Sequence, residues 1–453
     1  MKADDVGAEG LKVAIGFPSA VMLVMGGIVG VGIFANPAIV ARGLHSPALA
    51  LAAWGVGGVI ALLGAFVYAE LAARIPATGG EYVYLRDTYG PLAGFLFGWT
   101  TLLVVHAGGM AAVAIVFARN LNVLVGGGLA EPAVVVAVMV ALAAVNCLGV
   151  GHGNGLQNLL GALKVAVIGA LIIAGLMLAP HVDTGRMAAA APSDPMTTWK
   201  AFGAAMIPVV FSYGGWQTAN YVAGEIRDPA RNLARALLAG VVAVIALYLL
   251  VNIACLRALG VEALGRTLTP TSDVLALSVG PVAARLAAAA IALSALAFLS
   301  QSMLTGPRIS FAMARDGLFF RRVARVASGS HAPVLAIGLQ AAWTCVLALS
   351  GRYEQILSYV VSMNFLFFGL SASCLFVIRR RERATGAGRG TGFRAPWHPW
   401  TTGLFIVACV AIVACSFWAY PVNSLIGYAI LLLGVPPYLH WRRQGSLEPA
   451  VAS

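Results

Sequence analysis

Charge is scarce in this sequence. Only 10% of its 453 residues are Asp, Glu, Lys or Arg, whereas 60% are hydrophobic. A soluble globular domain carries about 25% charged and about 45–50% apolar residues. The scarcity excludes an ordinary soluble domain and implies an integral membrane protein. Acidic residues are the rarest charges, 17 against 29 Lys and Arg. Long polar loops are missing too, so no soluble domain interrupts the apolar runs. The six cysteines form no CxxC pair and fall in or at the ends of apolar runs, where a thiol packs as a small apolar group. The seven histidines show no ligand spacing, so no metal and no cofactor are expected. Period-two alternation is absent, which excludes a β-barrel. The first apolar run is too long for the core of a cleavable signal peptide.

What is present is a series of apolar runs. A spanning helix needs about 20 mainly apolar residues. Runs of that kind lie near 16–44, 47–73, 91–118, 131–149, 156–180, 199–224, 233–256, 281–306, 333–350, 355–378, 400–419 and 422–440. They predict an all-α membrane protein with twelve transmembrane helices. The lysines and arginines set the orientation. With the N-terminus inside, twenty of the 29 fall in inner segments and eight in outer ones, with Lys164 inside a helix. The net charge of +12 is then a topology signal and calls for no nucleic acid. Both termini are expected in the cytoplasm. The segment 379–399, RRRERATGAGRGTGFRAPWHP, reads as a cytoplasmic linker before the last two helices.

Glycine is spent in an unexpected place. The stretch GIVGVGIF at 27–34 lies deep in the first apolar run. Gly26 and Gly30 fit a GxxxG packing motif, which lets two helices approach closely. Gly30, Gly32 and Ala35 fit a G-x-G-x-x-A nucleotide fingerprint, but that motif needs a preceding strand in a soluble unit. A third reading is a deliberate break. Each glycine disfavours helix by about 1 kcal/mol relative to alanine, and Asn36-Pro37 follows at once. A matching interruption, FSYGGW at 211–216, lies at the same depth in the sixth run. Residues 16–180 and 199–380 thus read as two five-helix repeats of opposite topology, with 400–440 as helices 11 and 12. Paired breaks in inverted halves mark a substrate site near the midplane. The freed N–H groups of the first break suit a carboxylate. Free carbonyls of the second, around Ser212, Gly214 and Gly215, suit an ammonium. A site for both takes an α-amino acid.

At these residues the chain resembles the amino acid–polyamine–organocation superfamily of transporters, and within it the L-type branch. The resemblance covers roughly residues 16–440. It is carried by GVGIFANP at 30–37, YAELAARIPATGGEYVYLRDTYGPLAGFLFGW at 68–99 and QNLLGALK at 157–164. FSYGGWQTANYVAGEIRDPARNLARAL at 211–237 and LTGPRISFAMARDGLFF at 304–320 complete it. The resemblance implies the LeuT-type fold, with helices 11 and 12 outside the core, and transport by alternating access. It also implies the site. The carboxylate meets backbone N–H groups of Gly30, Val31 and Gly32. The amino group meets backbone oxygens of Ile28, Phe211 and Gly214, and Phe211 is the aromatic gate. Val31 departs from the serine the family carries between the two glycines, so a hydroxyl contact is lost.

Lys164 stands out on physical grounds. It lies about nine residues into the fifth run, hence ~13 Å deep at about 1.5 Å per residue. A central lysine costs at least ~2.5–3.5 kcal/mol on insertion scales. The resemblance places it where sodium-coupled relatives hold a sodium ion, bridging helices 1 and 8, with Ser294 as its partner and Ser300 as the alternative. Transport is then expected to be independent of sodium. Glu70 falls inside a span near Arg74 and Glu225 at the edge of another near Arg227, both at the cytoplasmic ends. With no carboxylate at the midplane, a neutral substrate is expected. His106, Asn364 and Gln217 are further polar candidates, and Arg227, Arg231 and Arg235 read as a basic face toward anionic lipids. Animal L-type transporters join a glycoprotein through a cysteine between helices 3 and 4. Here the loop 119–131, RNLNVLVGGGLAE, has none. A bacterial inner-membrane exchanger of neutral L-amino acids, without a disulfide-linked heavy subunit, is the expectation. A proton-coupled symporter is the alternative. A membrane enzyme or receptor lacks its clustered acid, base and nucleophile or its signalling domain.

Overall fold

The apolar runs become helices that end where glycine, proline and charge appear. A computed structural model describes residues 16–75, 80–147, 154–179, 195–217, 226, 229–315, 334–385 and 392–443. Every regular element among them is helical. The first run is two helices, α1 (Phe17–Ile28) and α2 (Gly32–Leu44), followed by α3 (Pro47–Arg74), α4 (Glu81–Tyr89) and α5 (Pro91–Thr100). A π-helical turn at Thr101–His106 leads into α6 (Ala107–Val125). Next come α7 (Glu131–Cys147), α8 (Asn154–Ile173) with a π turn at Ala174–Leu178, and α9 (Pro195–Ser212). The second half holds α10 (Pro229–Arg266), α11 (Pro270–Ser278), α12 (Pro281–Arg315), α13 (Val334–Ser350) and α14 (Tyr353–Thr385). It ends with α15 (Trp400–Ala419), α16 (Pro421–Leu432) and α17 (Val435–Arg443).

Among the described residues, seven helices or helix runs are long and apolar enough to cross a bilayer, and the bent pair α1–α2 makes an eighth. Three shorter apolar helices, Glu131–Cys147, Leu163–Leu178 and Val334–Ser350, coincide with three more predicted spans. Local chemistry explains the ends. Ser46 accepts the Leu49 N–H and Pro47 follows it, a normal start for α3. With 33 residues, α14 extends about 50 Å at ~1.5 Å per residue. That exceeds the ~30 Å apolar core of a bilayer, so its arginine-rich last turns project beyond it.

Helix α3 packs against α9 and α10, while α1 and α2 lie on α10 and α2 also on α9. Trp54 of α3 is fully buried and meets the rings of Tyr213 and Tyr248 edge-on, at 5.9 and 5.7 Å. Close approach depends on Gly57, where a Cβ would stand 2.3 Å from Val209 Cγ1 of α9.

Among the described residues one charged cluster is buried. The Glu70 carboxylate, inaccessible in α3, accepts hydrogen bonds from Arg74, from Arg379 of α14 and from the Ala395 N–H. Arg74 also pairs with Glu382. The predicted Glu70–Arg74 pair is therefore part of a larger hub that joins α3, α14 and the turn before α15. His398 lies in that turn. Burial and the Arg379 guanidinium hold its imidazole below the ordinary pKa.

Candidate substrate site at the paired helix breaks

The first break is short and open on one side. Helix α1 stops at Ile28, whose carbonyl accepts the Gly30 N–H at 2.7 Å. Val29 leaves helical geometry at φ −71°, ψ 81°. Helix α2 then starts at Gly32, bent by 44° from α1. Val31 takes the N-cap position and its side chain caps nothing. Serine there could accept an N–H of the first turn, which valine cannot. No acceptor among the described residues meets the N–H groups of Val31, Gly32 or Ile33. Gly30 is half-buried and Val31 and Gly32 are buried.

The second break lies against the first. Helix α9 ends at Ser212, and Gly214 N–H turns back to the Phe211 carbonyl at 3.1 Å. Gly215 has φ 101°, a conformation that favours glycine, and a Cβ there would stand 2.1 Å from the Gly27 carbonyl oxygen. Its N–H donates to Gln217 Oε1 at 3.0 Å. Gly32 faces Ser212 in the same way, since a Cβ at Gly32 would stand 2.8 Å from Ser212 Oγ. The two interruptions, far apart in sequence, thus share one space. Phe211, Gly214 and Gly215 are half-buried beside it, and Ser212 is buried.

A tyrosine absent from the expected set joins both breaks. The Tyr248 hydroxyl of α10 lies 3.0 Å from the Ile28 carbonyl and 3.1 Å from the Ser212 carbonyl. It has one proton for two acceptors. The Ile28 oxygen, expected to receive an ammonium, already accepts from Gly30 N–H and faces this hydroxyl. Tyr248 sits in an apolar run and no local pattern in the sequence marks it.

Lys164 reaches the first break, with Nζ 3.4 Å from the Val29 carbonyl, slightly beyond ordinary hydrogen-bond length. Ser294 is buried on α12 and its hydroxyl meets no acceptor among the described residues. No Lys164–Ser294 hydrogen bond forms, and Ser300 is buried farther along the same helix.

The other candidates separate cleanly. His106 lies in the π turn and its Nε2 meets the Ser302 carbonyl at 3.1 Å, so that nitrogen carries the proton. Asn364 is half-buried on α14, and Arg231 and Arg235 are exposed on α10. Glu225 and Arg227 lie outside the described residues. Within the chain the GxxxG pair packs against no helix among the described residues, because Gly26 is exposed and a Cβ there would meet nothing within 4 Å.

The sequence that carries the two breaks matches a known family over nearly the whole chain. The amino acid permease family model matches residues 15–436. The chain belongs to the amino acid permease family. Within it the permease is an L-type-like amino acid transporter of the amino acid–polyamine–organocation superfamily. It is 28% identical to the serine/threonine exchanger SteT of Bacillus subtilis (strain 168) over 96% of its own length and 98% of that protein's. It is 28% identical to the mouse large neutral amino acids transporter small subunit 2, over 97% of this chain and 83% of the relative. The mouse Asc-type amino acid transporter 1 is 27% identical over 95% and 82%.

Proposed function

We propose that this permease moves neutral L-amino acids across the plasma membrane by alternating access, as a sodium-independent exchanger. The observation that carries the reading is the open start of α2 facing the end of α9. The N–H groups of Val31 and Gly32, which meet no acceptor among the described residues, and the positive end of the helix dipole favour a carboxylate. The carbonyls of Phe211 and Gly214, across the same space, offer acceptors to an ammonium. At Ile28 the ammonium shares or displaces the hydroxyl of Tyr248. Phe211 covers the substrate as the gate.

The ammonium of Lys164 at the Val29 carbonyl supports sodium independence, because a fixed positive charge beside the break does the work of a bound cation. The scarcity of buried carboxylates around the breaks supports a neutral side chain. Serine, threonine and large neutral amino acids in the names of two relatives agree with it. The same reading includes twelve spans in two inverted repeats, 16–180 and 199–380, with helices 11 and 12 at 400–440. Both termini face the cytoplasm of a bacterial inner membrane. The cysteine-free loop 119–131 leaves no anchor for a disulfide-linked heavy subunit.

The test is uptake of labelled amino acids into proteoliposomes, varying internal amino acid, sodium and pH separately. Uptake of alanine, serine, threonine or leucine should depend on an internal neutral amino acid and ignore sodium. Uptake driven by a pH gradient without internal substrate would replace exchange by proton symport. Arginine uptake without any neutral uptake would overturn the substrate class.

A further inference from the structure

We propose that Asn36 is a positioning residue that locks α2 to α9, so that the two halves of the substrate site move as one body, with Tyr353 tying that body to α14. The inference rests on the transport reading above.

Asn36 is fully buried four residues into α2. Its Nδ2 donates to the Pro208 carbonyl at 2.8 Å and to Ser212 Oγ at 2.7 Å, both on α9. Its Oδ1 accepts from the Tyr353 hydroxyl of α14 at 3.1 Å. The orientation of the amide follows from chemistry. The Pro208 carbonyl can only accept, so the amide nitrogen must face α9 and the oxygen must face Tyr353. Ser212 Oγ in turn donates to the Pro208 carbonyl at 2.8 Å. Both amide protons and one lone pair of a single side chain are therefore used between three helices.

The place of this node gives it a role. Pro37 lies next to Asn36 and Pro208 lies inside α9. Each proline removes one backbone donor, so each half-helix is locally weak. Apolar packing alone registers two helices poorly in a membrane, where lipid competes equally for apolar faces. Saturated side-chain hydrogen bonds supply the register instead. Gly32, expected only as a carboxylate contact, also makes room for the node. A Cβ there would press on Ser212 Oγ at 2.8 Å and on Asn36 Nδ2 at 3.3 Å. A shift of α2 relative to α9 would thus disturb the Gly32 end of the anion site directly.

The test compares wild type with Asn36→Leu, which keeps volume and removes every polar contact. Two readouts are needed. Hydrogen–deuterium exchange of the purified full chain should rise by about tenfold or more in 29–44 and in 204–215 together. Exchange of labelled for unlabelled alanine in proteoliposomes should lose about tenfold or more in maximal rate, with KM within about threefold. Tyr353→Phe should lose less, and the double variant Asn36→Leu/Tyr353→Phe should lose no more than Asn36→Leu alone. Loosening of 29–44 only, a maximal rate equal to wild type, or a loss confined to KM would overturn the proposal. If Asn36→Leu does not fold, Ser212→Ala and Tyr353→Phe each remove one bond to the same amide. Their effects must then be non-additive, and additive effects would overturn it. Wild type without uptake of any amino acid would sink the transport reading alone, and the hydrogen-exchange comparison would still decide the coupling.

Discussion

The Glu70 carboxylate receives the Arg379 guanidinium through two parallel hydrogen bonds, Nε to Oε1 at 2.8 Å and Nη2 to Oε2 at 2.7 Å. The residues are 309 positions apart. With Arg74 and the Ala395 N–H added, the carboxylate is satisfied on every side. Breaking such a buried pair leaves an uncompensated charge, which costs about 3–5 kcal/mol. Glu70→Ala is expected to lower the thermal midpoint of the detergent-purified protein clearly. Glu70→Ala/Arg379→Ala should recover part of the loss, because no orphan guanidinium faces the site. A melting curve unchanged by Glu70→Ala would show that water replaces the carboxylate freely.

Lys164 is expected to matter for transport more than for folding. Its ammonium meets one long hydrogen bond at the Val29 carbonyl, and burying it without a partner is expensive. Lys164→Ala removes that cost together with the charge beside the break. Maximal exchange should fall by about tenfold or more, equivalent to ~1.4 kcal/mol on the barrier, with a thermal midpoint near that of wild type. Added sodium should not restore it. Restoration by sodium would show that an ion can enter the place of the ammonium.

The glycines of the first run and its partner should respond in opposite ways. Gly26 is exposed with open space at Cβ, so Gly26→Ala should keep full transport and gain up to about 1 kcal/mol of helix preference. Gly215 combines φ 101° with a Cβ position 2.1 Å from the Gly27 oxygen. Gly215→Ala should abolish exchange, since either break must move to admit the methyl group. Equal transport by the two variants would contradict the contact between the breaks.

The sequence by itself determined the class of this protein and the location of its interruptions. Few charges and long apolar runs require helices in a bilayer, because backbone polar groups have no other partners there. Clustered glycines followed by Asn36-Pro37 weaken helix locally, so the break at 29–31 was legible without any partner. Pro47 coincides with the start of α3, whereas α14 runs on through the arginines after Ile378 to Thr385, so the first seven residues of the expected linker 379–399 are helical instead. Tertiary structure alone decided which groups meet. It set Gly215 on the Gly27 carbonyl, Asn36 on Ser212 across 176 positions, and the Tyr248 hydroxyl between two carbonyls. It gave Lys164 the Val29 carbonyl instead of Ser294, and it exposed Gly26 where GxxxG spacing implied a contact. Hydropathy and helix preference are properties of a few adjacent residues. Which face of a uniformly apolar helix turns inward depends on small differences in packing and on polar groups hundreds of residues away, and no local pattern carries that information.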